Sequence, residues 1–223
     1  MALNFSGSSY LTYNAALVNW AAATELSYMI WFRTSSISKQ YLFSQKNSGT
    51  AASIAIFIVS GNVNAECVTN DIDLSFPIAA GNANNVWHHA VVSRNAAGLW
   101  SFYVDAVLVG TATATGSDAA ITTTNQEIGH DFLLGFFMIG DLSDYRIYNR
   151  QLSIAEIKTI YKTLGVDGIE YGLTRRWPMK EKNLATVPGA NTVLDISGER
   201  AIATPVGSPT YSADMNRLRR RLA

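Results

Sequence analysis

The sequence predicts an all-β protein: a jelly-roll β-sandwich with one short surface helix and a C-terminal extension. Three observations carry the prediction. Short runs rich in Val, Ile, Phe, Tyr and Trp recur along the 223 residues, separated by Ser, Thr, Asn, Ala and Gly, as in a fold of many strands joined by turns. Only one segment carries a helical period. The composition, 48% hydrophobic and 15% charged, is the opposite of a disordered chain and lacks the charged-plus-leucine excess of a coiled coil.

The elements follow in order. Leu26–Arg33 (LSYMIWFR) is dense in strand formers and bounded by polar residues. Residues 41–45, 53–60 and Asn62–Thr69 follow at close spacing, and 87–94 (WHHAVVSR) is a further run. Residues 100–104 and Val107–Thr113 read as a hairpin around Asp105-Ala106, although a primed two-residue turn prefers glycine at the second position. Residues 127–129, 136–139 and 140–148 (GDLSDYRIY) come next. Ser153 followed three residues later by Glu156 is a capping box, which satisfies two otherwise orphaned amides. Behind it Ile154, Ile157, Ile160, Tyr161 and Leu164 recur at helical spacing, and Gly165 supplies the stop. The spacing predicts a helix of about three turns laid on a sheet.

Past Gly165 the texture changes. Residues 166–173 read as a linker or strand, Arg175-Arg176-Trp177-Pro178-Met179 as a short strand-like unit, and Asp195-Ile196-Ser197-Gly198 as a turn. The two prolines of 204–211 (TPVGSPTY) suit an edge strand or irregular segment. The expected division is a body over 1–165 and a segment over 166–223 of peripheral strands ending in a basic arm, Arg217, Arg219, Arg220 and Arg221.

Several strings together resemble the laminin-G-like, concanavalin-A-like lectin and glucanase jelly-roll domains. Leu3-Asn4-Phe5-Ser6-Gly7 with Tyr10-Leu11 is similar to their opening L-x-F-D-G…Y-V, and Trp87-His88-His89-Ala90-Val91-Val92 to their W-H-H-V-A-V strand. Tyr103-Val104-Asp105 matches Y-V-D-G except at the glycine. Residues 140–153 with the helix through Tyr161 resemble G-x-I-D-E-V-R-I-Y-N-R-A-L-S…E-I…L-Y. The resemblance spans about residues 3–164 and implies the fold; the same sandwich serves lectins, enzymes and structural proteins. A second resemblance lies in the tail. Trp177-Pro178-Met179-Lys180-Glu181, Asp195-Ile196-Ser197-Gly198 and Gly207-Ser208-Pro209-Thr210-Tyr211 are similar to a segment that usually precedes the jelly roll and packs on it. Here it follows, so two placements stay open: the tail completes its own sandwich, or it reaches a neighbouring subunit. Domains with this leader and an arginine-rich end look like those of bacteriophage structural proteins. Some members hold a structural calcium with carboxylates near these strands. Ser6 and Ser143 stand where two of those carboxylates often are, and no cofactor is expected.

Chemistry is sparse. Retaining glycan hydrolases need paired carboxylates, and no E-x-D-x-E or E-x-D-x-x-E string occurs. Asp71 and Asp73 have the right period but sit in a turn-like stretch, and Asp141 with Asp144 is an alternative pair. His88 and His89, adjacent on a strand, face opposite sides, so they read as one packed and one surface histidine. His130-Asp131 lies in a loop as a weak metal or acid–base signal. No G-x-S-x-G and no phosphate loop appears. One cysteine, Cys67, excludes an internal disulfide framework and a multi-cysteine zinc site. Carbohydrate binding needs an aromatic platform beside polar groups. Trp31, Trp87 and Trp100 read as core; Trp20 and Tyr13, in the connection 10–23, are the candidate platform, with Asn70, Asp71 and Asp73, beside Asn62 and Asn64, as the polar rim.

The charges bear on partners. Lys+Arg and Asp+Glu number 17 each, but residues 1–174 hold 8 against 13 and residues 175–223 hold 9 against 4, so an acidic body carries a basic tail. Four arginines without interleaved aromatics are a poor nucleic-acid signal; docking on acidic protein, including a neighbouring copy, is the expectation. The start, Met1 to Gly7, has no basic segment leading into an apolar stretch, so no secretory signal is read and synthesis in the cytoplasm is expected. The apolar runs 54–59 and 132–139 are far short of a bilayer, so no membrane partner is expected. The combined reading is a non-enzymatic virion structural or attachment protein, a phage capsid decoration or fibre-type component that assembles as a homo-oligomer or with capsid or tail proteins. The alternative is a glycan-binding module, and a polysaccharide-acting enzyme stands third.

Overall fold

A computed structural model describes residues 2–13, 25–46, 52–69, 72–75, 81–113, 125–131, 133–180, 193–198 and 202–212. In chain order the strands are β1 (Ala2–Ser6), β2 (Tyr10–Tyr13), β3 (Leu26–Arg33), β4 (Gln40–Lys46), β5 (Ala52–Val59), β6 (Asn62–Thr69), β7 (Ile72–Ser75), β8 (His88–Arg94), β9 (Leu99–Val104), β10 (Val107–Thr113), β11 (Asn125–Ile128) and β12 (Ile139–Tyr148). Helix α1 (Ile154–Lys162) precedes β13 (Leu173–Trp177), β14 (Val193–Leu194), β15 (Ile202–Val206) and β16 (Thr210–Ser212). Two eight-stranded antiparallel sheets result. One runs β10-β9-β8-β3-β12-β1-β16 with β13 also on β12; the other runs β14-β15-β2-β11-β4-β5-β6-β7. This is the jelly-roll sandwich. Among the described residues no helix is long and apolar enough to cross a membrane.

Alternation decides which side chains meet between the sheets. Ile54, Ile56 and Ile58 of β5 and Val63, Ala65 and Cys67 of β6 point into the main core, facing Tyr28, Ile30 and Phe32 of β3 and Trp100 and Phe102 of β9. Strands β3 and β8 do not alternate in burial, because α1 covers the first sheet's outer face. Met29, Trp31, Val91, Ile157, Ile160 and Leu164 form a second core beneath it. The capping box is made: Glu156 N donates to Ser153 Oγ at 3.3 Å, and Ser153 N to Glu156 Oε2 at 2.9 Å. Of the expected stripe, Ile154 departs: it is 42% exposed in the first turn. At the β9–β10 hairpin both central residues have positive φ, 52° at Asp105 and 61° at Ala106, the primed turn with alanine where glycine is favoured.

The described part of the tail completes the sandwich of its own chain. β13 pairs with β12, β16 with β1 and β15 with β2. Its strands stand at the sheet margins, β16 ending the first sheet and β14 and β15 the second, and the tail supplies Trp177, Met179, Val193, Ala203 and Tyr211 to the main core. Trp177 lies 4.5 Å from the Tyr13 ring and 5.7 Å from Tyr145. Pro205 sits in β15 beyond the reach of the two-residue β14, which accommodates its missing N–H.

The segment after α1 is fixed by buried ions. Arg146 on β12 is wholly buried and donates to Asp144 at 2.7 Å, to Asp167 at 2.8 Å and to the Gly165 carbonyl at 3.1 Å. Arg176 on β13 reaches Asp144 at 2.8 Å. Burial pushes the Asp144 carboxyl up, but the charges of Arg146 and Arg176 outweigh it and hold the carboxyl at about 2. Gly165 has φ +75°, and a Cβ there would overlap the Asp144 carboxylate; this is the one residue type that both ends the helix and lets the chain pass.

Candidate functional site

The outer face of the second sheet is built by the residues that alternate with its core. On β4 a bulge between Tyr41 and Phe43 turns Tyr41 outward, directly opposite Phe57 of β5. Phe57 in turn lies in register with Asn64 of β6. Phe136, from the segment between β11 and β12, comes alongside. Tyr41 and Phe57 have centroids 5.1 Å apart with planes 23° from parallel, and Tyr41 and Phe136 are 6.3 Å apart at 16°. Three rings thus form one strip whose middle ring, Tyr41, is wholly buried. Phe57 and Phe136 are half-buried. Beside the strip the sheet is floored by small residues, Ser44 of β4 and Ala55 of β5, in one row with Glu127 of β11 and Glu66 of β6.

Lys39, in the connection from β3 to β4, lays its ammonium over the strip. Nζ is 5.0 Å from the Phe136 centroid, 5.5 Å from Phe57 and 5.7 Å from Tyr41, within cation–π range. Lys46 stands on the other side of Tyr41 at 5.1 Å but is paired with Asp131 at 2.6 Å. Burial raises the Asp131 carboxyl, while the Lys46 bond and charge and the amides of Leu133 and Leu134 more than offset it and hold it below its usual range. Next to this pair Glu127 and His130 Nδ1 share a 2.6 Å hydrogen bond, and the imidazole packs between Tyr10 at 4.6 Å and Phe137 at 4.1 Å.

The residues expected to form a site are not brought together. Tyr13 is a correction: it is 1% exposed in the main core, its hydroxyl 3.0 Å from that of Tyr145, because it repeats the inward phase of Leu11. Burial raises its phenol, and it offers no surface to a sugar. Asp73 lies not in a turn but in β7, in register with Val68 of β6, because Ile72–Ser75 has enough strand character to pair. Trp20, Asn70, Asp71, Arg217, Arg219, Arg220 and Arg221 lie outside the described residues. The histidine reading is corrected as well. His89 is wholly buried, and His88, bonded to Asp105 at 2.7 Å, is only 8% exposed. The second core covers the face that was expected to be solvent.

Several carboxylates of the body are spent on its own cations. Asp141 pairs with Arg33, Asp144 with Arg146 and Arg176, Asp167 with Arg146 and Glu156 with Arg150. The Asp141/Asp144 pair is therefore a set of ion-pair partners, and ionised Asp144 has no proton to give a leaving group. His130 and Asp131 diverge to separate partners, and among the described residues no cluster of three or more His, Cys, Asp or Glu could hold a metal. A second concavity of about 530 Å³ is lined by Gly165, Val166, Arg176, Lys180 and Ile196, but its floor is the structural ion network. Lys39, Tyr41, Phe57 and Phe136 were missed. The available signal was Phe57, a large aromatic out of phase with the isoleucines of β5.

Comparison with known proteins places these features. The sequence model described as the concanavalin A-like lectin/glucanases superfamily matches residues 5–158. No curated protein matches the chain in sequence. Among solved structures, a "putative carbohydrate binding protein" from Bacteroides ovatus is 14% identical with a TM-score of 0.69; the match covers 96% of this chain but only 60% of that one. The Ruminococcus gnavus IT-sialidase CBM40 bound to α2,3-sialyllactose is 14% identical with a TM-score of 0.54, over 72% of this chain and 96% of that one. The native heptameric SAP-like pentraxin of Limulus polyphemus is 18% identical with a TM-score of 0.55, over 74% and 83%.

Proposed function

The chain belongs to the concanavalin A-like lectin/glucanase superfamily, and from that premise we propose that it is a non-catalytic glycan-binding module whose ligand lies on the outer face of the second sheet. The observation that carries the reading is the half-buried Phe57 on the outer face of the second sheet, with Asn64 in register beside it and the half-buried Phe136 beyond the buried Tyr41 ring. Apolar faces of a sugar stack on such rings, while amide and charged groups at the margin bond its hydroxyls. The carbohydrate-related structures among its neighbours support the same reading. Asp141 and Asp144, held in ion pairs, support the absence of catalysis. A glycan array probed with the full chain tests this. Binding that is lost in Phe57→Ala, with the unfolding midpoint little changed, is the expected result; an array without a ligand overturns it.

The second part of the proposal concerns setting. The module serves as an attachment or decoration component of a virus particle, as a homo-oligomer or bound to capsid or tail proteins. Support comes from the motif set, from the arginine-rich end at Arg217, Arg219, Arg220 and Arg221, and from the oligomeric pentraxin among the structural neighbours. Mass spectrometry of purified particles decides it: the chain is present in stoichiometric amount, or this part of the reading fails.

A further inference from the structure

The concavity beside the C-terminal end of α1, about 530 Å³, exists because the tail packs back on its own chain. Among the described residues, one wall is the segment after the helix, with Val166 and Glu170; the other comes from the tail, with Arg176, Pro178 and Ile196. Both walls are pinned from behind. Asp167 Oδ1 accepts from the amides of Gly168 and Ile169 at 3.2 and 3.0 Å, and Leu173 N donates to the Glu170 carbonyl at 2.9 Å. Ile196 N donates to the Arg176 carbonyl at 2.9 Å, and the Pro178 carbonyl accepts from Ser143 Oγ at 3.2 Å. Val166 and Ile196 are nevertheless 61% and 57% exposed, two apolar side chains left at the surface of a fixed frame. A site formed in advance loses little ordering entropy when a ligand arrives.

Two polar groups of the concavity are unspent. The Arg176 guanidinium gives Nε to Asp144 at 2.8 Å and Nη2 to Asp144 and to the Gly165 carbonyl. Its Nη1 bonds no described residue, although the side chain is only 13% exposed. The exposed Glu170 carboxylate bonds no described residue either. The charges of the floor cancel, Arg146 and Arg176 against Asp144 and Asp167, and Glu170 and Lys180 at the rim are one of each sign. A ligand anion would meet Asp144, Asp167 and Glu170 as well as Arg176, so the balance favours a neutral ligand. A wholly apolar ligand would cover Nη1 without replacing its water. A sugar ring supplies what is missing: hydroxyls that accept from Nη1 and donate to Glu170, and a C–H face to lie on Val166 and Ile196. We infer that this concavity is a second sugar site, for a neutral monosaccharide unit, apart from the face that carries Phe57; it rests on the reading of the chain as a glycan-binding module.

Amide NMR of the full chain tests it, titrated with the methyl glycosides of glucose, galactose, mannose and N-acetylglucosamine and, as the anionic comparator, with N-acetylneuraminic acid. Expected is a saturable shift of the Val166, Gly168, Glu170 and Ile196 amides with a neutral glycoside, kept in Phe57→Ala. Glu170→Ala, at an exposed position, should weaken that binding about tenfold, and Ile196→Ala several-fold, with the unfolding midpoint little changed. Shifts at these amides with the acid alone overturn the neutral assignment. Amides unmoved by every neutral glycoside, affinity unchanged in both variants, or shifts lost in Phe57→Ala overturn the second site. If neutral glycosides then move Asn64 and its neighbours instead, the glycan reading of the chain stands; if they move nothing and a glycan array is empty, both readings fall.

Discussion

Acid should loosen the sandwich from beneath α1, through His89. The imidazole is wholly buried, stacked 4.8 Å from Trp31 and 6.3 Å from Tyr161, and neither ring nitrogen has a hydrogen-bond partner among the described residues. Burial, and after it the Arg146 charge, lower its pKa from 6.5 to about 3 against the opposing pull of Asp105, Asp144 and Asp167. A histidine lowered in the folded state is protonated first in the unfolded chain. Its neutral form therefore contributes full stability above pH 6.5, and that contribution is lost as pH falls toward 3. Between pH 7 and 4.5 the loss is about 2.5 kcal/mol from this group. Urea midpoints at pH 7, 5.5 and 4.5 measure it, with His89→Leu as comparator. The leucine variant should lose far less stability over that interval, whatever its value at pH 7. Equal losses in the two proteins would show that His89 is not the acid-sensitive element. Below about pH 4 a second loss should enter in both, as Asp144, held at about 2, and Asp167, held below its usual range by Arg146 against its burial, take up protons.

Three further outcomes are expected. Ala106→Gly relieves a left-handed alanine in the β9–β10 turn and should raise stability by about 1 kcal/mol, read by thermal or urea unfolding. Gly165→Ala drives a methyl into the Asp144 carboxylate and should cost about 3 kcal/mol, the scale of breaking a buried ion pair; an unchanged midpoint would mean that the network is not needed. Deleting residues 216–223 leaves every described strand in place, so the midpoint should hold while the mass measured by light scattering falls toward the monomer. An unchanged mass would separate the arm from assembly.

The sandwich and the helix were legible because their signals are local. A capping box, a 3.6-residue stripe and period-2 strands such as β5 and β6 are written within single segments. Tyr13 was misread although its signal is as local: two residues from Leu11, it shares that residue's inward phase. What could not be read was assembled from distant parts. The aromatic strip needs the β4–β5 register, the bulge after Tyr41 and a residue arriving at position 136. The double burial of β3 and β8 needs α1 to lie across them. The acidic body and basic tail were visible as counts, but the counts misled about surface. Much of the acidity is buried, and Arg176 meets it inside the chain through Asp144.

The pairing of the tail also sets an order of events. β1 lies between β12 and β16, and β2 between β11 and β15, so Asn4 meets Thr210 and Tyr13 meets Ala203. β1 and β2 each wait for a strand made much later, β16 and β15. Neither sheet can close until β15 and β16 have been made, whereas the hairpins of the middle of the chain, β5–β6 and β9–β10, need no partner from the ends. Such distant contacts make for slow folding. A nascent chain stalled after α1 would hold β1 and β2 with one flank each unfilled, a state that invites pairing with another chain. Closure of each sheet is therefore the last step of its assembly.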